Sequence, residues 1–202
     1  MSDREIDEIW DNPKKKKIKS GQKGKGAERE ICKLLNTRFA SLLSEHTDWG
    51  TFSRTVGSGN RWGQGVALSS QAKDTYSGDI CVPPTFKWVI ESKKGYNDID
   101  LCTCFSGKCR GLDEFLQQVE DDAERTGRKP LLVWKKDRKP RIAFVKQADL
   151  FPSYSPAYCD PSPILNAKGA ICLRYNGWVG VRFEELLSLD ENFWFESVDP
   201  GS

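Results

Sequence analysis

Three residues in the middle of the chain, Asp79, Glu91 and Lys93, have side chains that could together hydrolyse a phosphodiester. Asp79 follows Gly78 at the start of a short apolar segment, and Glu91 and Lys93 flank Ser92 near the end of the next one. Two carboxylates suit a hard divalent cation such as Mg²⁺, which prefers oxygen ligands. A lysine beside that cation can neutralise charge at a phosphate or orient a nucleophile. The three residues therefore supply the smallest set of groups needed for metal-assisted hydrolysis of a phosphodiester.

Two predicted strands, over residues 79–82 and 86–93, carry these side chains. Apolar and polar residues alternate along 86–93, and residues two apart in a strand share a face. We therefore expect Glu91 and Lys93 to point the same way. A hairpin between the two strands would bring Asp79 beside them.

The remaining periodicity predicts an α/β fold with a central mixed sheet flanked by helices. Apolar residues recur at helical spacing over 26–44 and again over 112–123, where Gly127 is placed to end the second helix. Asn176-Gly177 lies between two apolar runs and predicts a C-terminal β-hairpin. Further predicted elements are strands over 51–56, 130–134 and 141–145 and a short helix over 184–189.

The charge of the chain is nearly balanced but unevenly placed. Its 202 residues suit one domain with an appendage, and 31 Lys and Arg stand against 29 Asp and Glu. Seven lysines nevertheless fall within residues 14–25, a stretch without an acidic residue. We predict a flexible basic arm over 1–23 that suits a polyanion such as nucleic acid, with a solvated tail as the alternative.

Other features of the sequence bear on location and on metals. No run approaches the roughly 18 apolar residues of a membrane span, and the N-terminus lacks a secretory apolar region. Seven cysteines, an odd number, fit reduced thiols, so we expect an intracellular, cytoplasmic protein, in a host cytoplasm if the chain is viral. Cys102, Cys104 and Cys109 invite a zinc interpretation, but no fourth ligand is near and His46 is the only histidine.

Five segments, in order, resemble the archaeal-type Holliday-junction resolvases of the PD-(D/E)XK nuclease superfamily. They are 23–30 (KGKGAERE), 54–59 (RTVGSG), 78–80 (GDI), 91–93 (ESK) and 127–133 (GRKPLLV). The resemblance covers residues 23–146 and implies a restriction-endonuclease-like core. With it, we divide the chain into the arm 1–23, a nuclease core over 24–149 and an extension over 150–202, bearing the hairpin, that packs on the core.

The resemblance also implies the roles of individual residues. The catalytic residues would be Glu28, Asp79, Glu91 and Lys93. The metal, Mg²⁺ with Mn²⁺ as a substitute, would be held by Asp79, Glu91, the backbone carbonyl of Ser92 and Glu28. DNA phosphates would be bound by Arg54, Ser58, Lys23, Lys25 and Lys94. Some nuclease relatives carry a metal-supporting glutamine near Gln117 and Gln118, for which a solvent-facing position is the alternative.

The function implied is that of a Mg²⁺-dependent, structure-selective DNA endonuclease that cuts four-way junctions by attack of a metal-activated water. A junction is nearly two-fold symmetric, so symmetric cutting calls for a homodimer. The aromatic segments around Trp134, Phe144 and Trp178 are candidates for its interface, with core packing as the alternative.

Two other functions stay open. A restriction-like, homing or repair endonuclease acting on duplex or flap DNA is favoured by two departures from the resolvase pattern, the long 60–77 loop and the 150–202 extension. A non-catalytic DNA-binding protein on a nuclease scaffold is a function of another class. The complete set of Asp79, Glu91 and Lys93 argues against it.

Overall fold

The computed structural model of the chain describes residues 20–55, 78–150 and 173–196. Several predictions concern residues outside these ranges: most of the basic arm, the Gly57-Ser58-Gly59 turn with Ser58, the 60–77 loop and the link over 151–172. The side chain of Lys23 also lies outside what is described.

A five-stranded mixed sheet forms the centre of the described structure, and a separate two-stranded sheet lies outside it. The strands are β1 (Ser53–Arg54), β2 (Ile80–Cys81), β3 (Trp88–Lys94), β4 (Lys129–Lys135), β5 (Arg141–Lys146), β6 (Leu173–Tyr175) and β7 (Trp178–Arg182). The central sheet has the order β3-β4-β5-β7-β6, in which β3 and β4 are parallel and the other neighbours antiparallel. The small sheet pairs β1 with β2. The predicted mixed α/β fold is confirmed.

Helices pack on both faces of this sheet. They are α1 (Ser20–Arg38), α2 (Ala40–Glu45), α3 (Arg110–Thr126), α4 (Gln147–Leu150), α5 (Phe183–Leu186) and α6 (Glu191–Trp194), with 3₁₀ turns at Thr47–Trp49 and Leu101–Ser106. None of these helices is both long and apolar enough to cross a membrane. Helix α3 ends as predicted at Gly127, whose φ of +67° is left-handed.

Helix α1 spans Ser20–Arg38 rather than the predicted 26–44. Its early start takes in residues 20–23, which the sequence assigned to the arm. Its end lies where Phe39 turns into the core and packs edge-on against Phe195, at 5.0 Å between ring centroids. Arg38 fixes this end, because its Nε donates to the carbonyl of Leu187 at 2.9 Å.

Alternate strand residues supply two apolar layers, one on each face of the sheet. Ile90 and Val133 pack with α1 residues such as Leu35, whereas Val89 and Leu132 pack on the side of α3. Because side chains alternate along a strand, the residues that follow Val89 at intervals of two also face α3. This places Glu91 and Lys93 on the α3 side.

The C-terminal hairpin belongs to the central sheet. Its turn is Asn176-Gly177, with φ of +47° and +77°, as the sequence predicted. Strand β7 pairs with β5, so β6 and β7 extend the sheet at the edge opposite β3. Buried Phe183 and Trp194 then attach the end of the described chain to the core on the α1 side.

The candidate interface aromatics are core residues. Trp134, Phe144 and Trp178 are buried in the layer between α3 and the sheet. The core-packing alternative is therefore confirmed for these three side chains. Large aromatic side chains supply the apolar area that a sheet needs beneath a single helix, which explains their number here.

Candidate active site

Asp79 lies against the edge strand β3 because Gly78 allows the chain to come close. Gly78 has a φ of +72°, and a Cβ there would lie 2.7 Å from the carbonyl oxygen of Ile90. The amide of Asp79 donates to that same oxygen at 2.9 Å. The carboxylate of Asp79 in turn accepts from the amide of Ser92 at 2.9 Å.

Asp79 thus lies beside the strand that carries Glu91, but the two strands do not pair as the predicted hairpin. Strand β2 pairs with β1, with Arg54 opposite Ile80, and not with β3. The link between Asp79 and β3 consists of single hydrogen bonds at the start of β2.

Glu91 and Lys93 point the same way, as their spacing predicts, and meet a glutamine from α3. Lys93 Nζ donates to Glu91 Oε1 at 2.6 Å and to Gln118 Oε1 at 2.8 Å. Gln118 Nε2 donates to Glu91 Oε1 at 2.8 Å, which closes a three-membered network. Gln117 instead donates to Asp121 on the surface at 2.8 Å. Of the two glutamines, Gln118 alone joins these residues.

The carboxyl group of Glu91 is held in an environment that disfavours its charge. Only 4% of the residue is exposed, and this burial, followed by the charge of Asp79, raises the pKa of Glu91 to about 7. Lys93 opposes the shift, and the charge of Asp122 adds to it. Near neutral pH, Glu91 is therefore poised between its two protonation states.

Glu28 and Arg54 form a second pair beside Asp79. Glu28 is buried, and its Oε2 accepts from Arg54 Nε. Arg54 ends β1, and the next residue, Thr55, donates its amide to the carbonyl of Asp79 at 3.0 Å. Since α1 begins at Ser20, Glu28 lies well inside the helix, and an interaction with the N-terminal helix dipole does not explain it.

A family model described as "Phage putative PDDEXK endonuclease" matches residues 19–190. The chain belongs to this family. The prediction of the PD-(D/E)XK superfamily is thereby confirmed, and an endonuclease of this kind acts on DNA. Searches of curated proteins and of solved structures found no match to the chain.

Nucleases of this superfamily generally use divalent metal ions, and part of the endonuclease site fits one. Asp79 and Glu91 are two buried carboxylates whose mutual repulsion a divalent cation would offset. Their carboxylate oxygens are the hard donors that Mg²⁺ prefers. The backbone carbonyl of Ser92 as a further ligand stays a prediction. Within the described residues no three acidic, His or Cys side chains converge as a metal-binding group. Glu28 is engaged with Arg54.

Asp122 of α3, which was not predicted from the sequence, also interacts with this network. This buried residue lies one turn after Gln118, and burial raises the pKa of its carboxyl group, while the adjacent Arg125 opposes the shift. Its charge acts on both Glu91 and Lys93. The signal that could have found it is the four-residue spacing from Gln118, which places both on one helix face.

The predicted phosphate-binding residues are spread over three elements. Lys25 is exposed on α1, and Lys94 is half-buried at the end of β3. The guanidinium of Arg54 is held by Glu28. Their contact with DNA stays a prediction.

The three clustered cysteines do not form a metal site among the described residues. Cys102 is exposed, whereas Cys104 and Cys109 are buried. Burial, together with the neighbouring thiol of Cys109, raises the pKa of Cys104 to about 12. Thiols in such an environment stay protonated and suit a structural role.

Proposed function

We propose that this protein is a Mg²⁺-dependent, structure-selective DNA endonuclease that resolves four-way junctions. The observation that carries the proposal is the network of Glu91, Lys93 and Gln118 at the edge strand of the sheet, with the Asp79 carboxylate bound to the amide of Ser92 on the same strand. Membership of an endonuclease family supports the reaction class. The likeness of five segments to the junction resolvases supports the substrate.

The reaction is hydrolysis of a phosphodiester. The oxygen of water forms a new bond to phosphorus, and the bond from phosphorus to the 3′ oxygen breaks, leaving a 5′-phosphate and a 3′-hydroxyl. A divalent cation held by Asp79, Glu91 and the Ser92 carbonyl would act as a Lewis acid at the phosphate and lower the pKa of the attacking water.

The protein's own cations then act on the phosphate. Lys93 is held by Glu91 and Gln118, and its ammonium group would stabilise the negative charge that develops on the phosphate oxygens. Arg54 is oriented by Glu28 through its Nε and would bind a neighbouring phosphate through its other guanidinium nitrogens. Glu28 is thus a positioning residue in this proposal, and the basic arm would add affinity without sequence preference.

A junction resolvase must cut two strands related by a two-fold axis. We therefore propose a homodimer in which each protomer supplies one complete site. The second cut then takes place within the same complex, before the junction dissociates.

Cleavage of matched substrates tests the proposed specificity. A synthetic four-way junction, a fork, a flap and a linear duplex of the same sequence are incubated with the protein and Mg²⁺. We expect the junction to be cut fastest and in symmetric positions. Equal cleavage of the linear duplex would favour a restriction-like or repair enzyme. Failure to cut any DNA would favour a non-catalytic DNA-binding protein.

A further inference from the structure

Tyr96 is the one large apolar side chain that stands exposed within the described ranges, with 50% of its surface accessible. It lies two residues beyond the end of β3 and three residues after Lys93. Its φ is +51°, a left-handed conformation that is uncommon for an aromatic residue. The chain therefore accepts an unfavourable backbone conformation where it also exposes an aromatic ring.

Hydrogen bonds to β4 and within its own turn hold the backbone around Tyr96. The amide of Gly95 donates to the carbonyl of Lys135 at 3.0 Å, and Trp134 Nε1 donates to the carbonyl of Gly95 at 3.2 Å. The amide of Ile99 donates to the carbonyl of Tyr96 itself at 3.1 Å. The ring is thus presented by a fixed turn.

Contacts between rings connect Tyr96 to the active site. Its ring packs edge-on against Phe115 of α3, with 4.8 Å between centroids and 71° between planes. Lys93 Nζ lies 5.3 Å from the centroid of the same Phe115 ring. One aromatic side chain therefore separates Tyr96 from the lysine that would contact the scissile phosphate.

The turn between β4 and β5 carries several cations and is joined to the turn that carries Tyr96. Asn97 and Asp137 exchange two hydrogen bonds, each of 3.0 Å, that join the two turns. Beside Asp137, the β4–β5 turn carries Lys136, Arg138 and Lys139, of which the last two are exposed. An exposed aromatic ring together with cations is the combination by which proteins bind single-stranded nucleic acid.

We propose that Tyr96 stacks on an unpaired base of the DNA substrate next to the cleaved phosphate, while the β4–β5 turn binds the backbone of the same strand. This inference rests on the proposed function and narrows its substrate class to branched DNA, such as an opened four-way junction, in which a base beside the branch is unpaired. A base inside an intact duplex is stacked on both neighbours, so it does not reach the ring without being unstacked.

Two substitutions at Tyr96 distinguish the effect of the aromatic ring from the effect of the backbone conformation. Tyr96→Asn removes the ring, and asparagine tolerates a positive φ, so the turn is preserved. Tyr96→Phe keeps the ring and removes only the hydroxyl. Binding is measured without metal, on a fork that carries unpaired 2-aminopurine beside the branch and on a fully paired duplex of the same sequence.

We expect wild type and Tyr96→Phe to quench the 2-aminopurine fluorescence and Tyr96→Asn to leave it unquenched. Stacking of a base on an aromatic side chain is worth about 1–3 kcal/mol, so the affinity of Tyr96→Asn for the fork should fall about 5- to 150-fold. Affinity for the paired duplex should stay within about twofold, because no unpaired base is offered there.

The outcomes distinguish this inference from the proposed function. Quenching and fork affinity that persist in Tyr96→Asn overturn the stacking role, while cleavage of DNA by the wild type would leave the nuclease function intact. Equal losses on the fork and on the paired duplex also overturn it, because they indicate a general contact. A wild type that binds neither DNA overturns the stacking role, while cleavage of the four-way junction decides the proposed function separately.

Discussion

Burial in the folded protein raises the pKa of the Glu91 carboxyl group and so makes stability depend on pH. Its folded-state pKa of about 7 lies above the ordinary value of 4.5, so the folded protein favours the protonated form. The stability that comes from this preference is fully present below about pH 4.5 and is lost as the pH rises through about 7.

The first prediction is that Glu91 makes the folded protein less stable as the pH rises. Without metal, the free energy of unfolding of wild type should fall between pH 5 and pH 8 relative to Glu91→Gln, which stays neutral. The expected change is on the order of 3 kcal/mol, since each unit of pKa shift corresponds to about 1.4 kcal/mol. Chemical denaturation in a chelator, at both pH values, measures it. A difference between the two proteins that does not vary with pH would show that Glu91 titrates normally.

The second prediction compares two adjacent glutamines. Gln118 binds both Glu91 and Lys93, whereas Gln117 donates to Asp121 on the surface. Gln118→Ala should lower the cleavage rate by about 10- to 100-fold, because groups that orient metal ligands contribute that much. Gln117→Ala should change the rate by less than about twofold. Similar rates for the two alanine variants would remove Gln118 from the site.

At the scale of elements, the position of Asp79 depends on the close approach of one backbone to another. Gly78 has a positive φ, and a Cβ at this position would lie only 2.7 Å from the carbonyl oxygen of Ile90. Gly127 has a similar φ of +67° but open space around it. Alanine substitutions at the two glycines therefore distinguish two costs. Both variants force a positive φ on alanine, but only at Gly78 does the new Cβ also clash with a neighbouring carbonyl oxygen.

The third prediction follows from that comparison. Gly127→Ala should lower the free energy of unfolding by about 1–2 kcal/mol, the cost of a left-handed alanine. Gly78→Ala should cost more, because Asp79 must also move away from Ile90, and it should reduce cleavage at temperatures where the protein is folded. Thermal denaturation and cleavage assays on both variants test this. Equal losses of stability with full activity would contradict the structural role of Gly78.

Local periodicity predicted those features that depend on neighbours in sequence. The common face of Glu91 and Lys93, the end of α3 at Gly127 and the turn at Asn176-Gly177 all follow from short-range rules. The pairing of β2 with β1 did not follow, because a two-residue strand carries too little pattern to specify its partner. The early start of α1 was missed because Gly24 and Gly26 have low helix propensity.

The sequence also predicted part of the candidate active site. The carboxylates and the lysine are identified by their spacing along the strands, but the choice between Gln117 and Gln118 depends on how α3 is rotated against the sheet. Asp122 was missed for the same reason, because a buried acid on a helix looks like a surface acid in the sequence.

For the whole molecule, the proposed resolvase must carry two sites. The fourth prediction is that sedimentation at micromolar concentration gives about twice the monomer mass of 22.9 kDa. A mixed dimer of wild type and Asp79→Asn should nick one strand of a junction and stop, because its second site lacks a metal ligand. A monomer that cuts both strands at equal rates would contradict the dimer.

The most direct test of the central claim is the rate of junction cleavage by Asp79→Asn and Glu91→Gln under single-turnover conditions with Mg²⁺, with affinity for the junction measured in parallel. Both variants should lose on the order of 100-fold or more in rate, because each removes a carboxylate from the proposed metal site. Their affinity should change little, since contacts with phosphates supply most of the binding free energy. Near-normal cleavage by either variant would contradict the assignment of Asp79 and Glu91 as the active site.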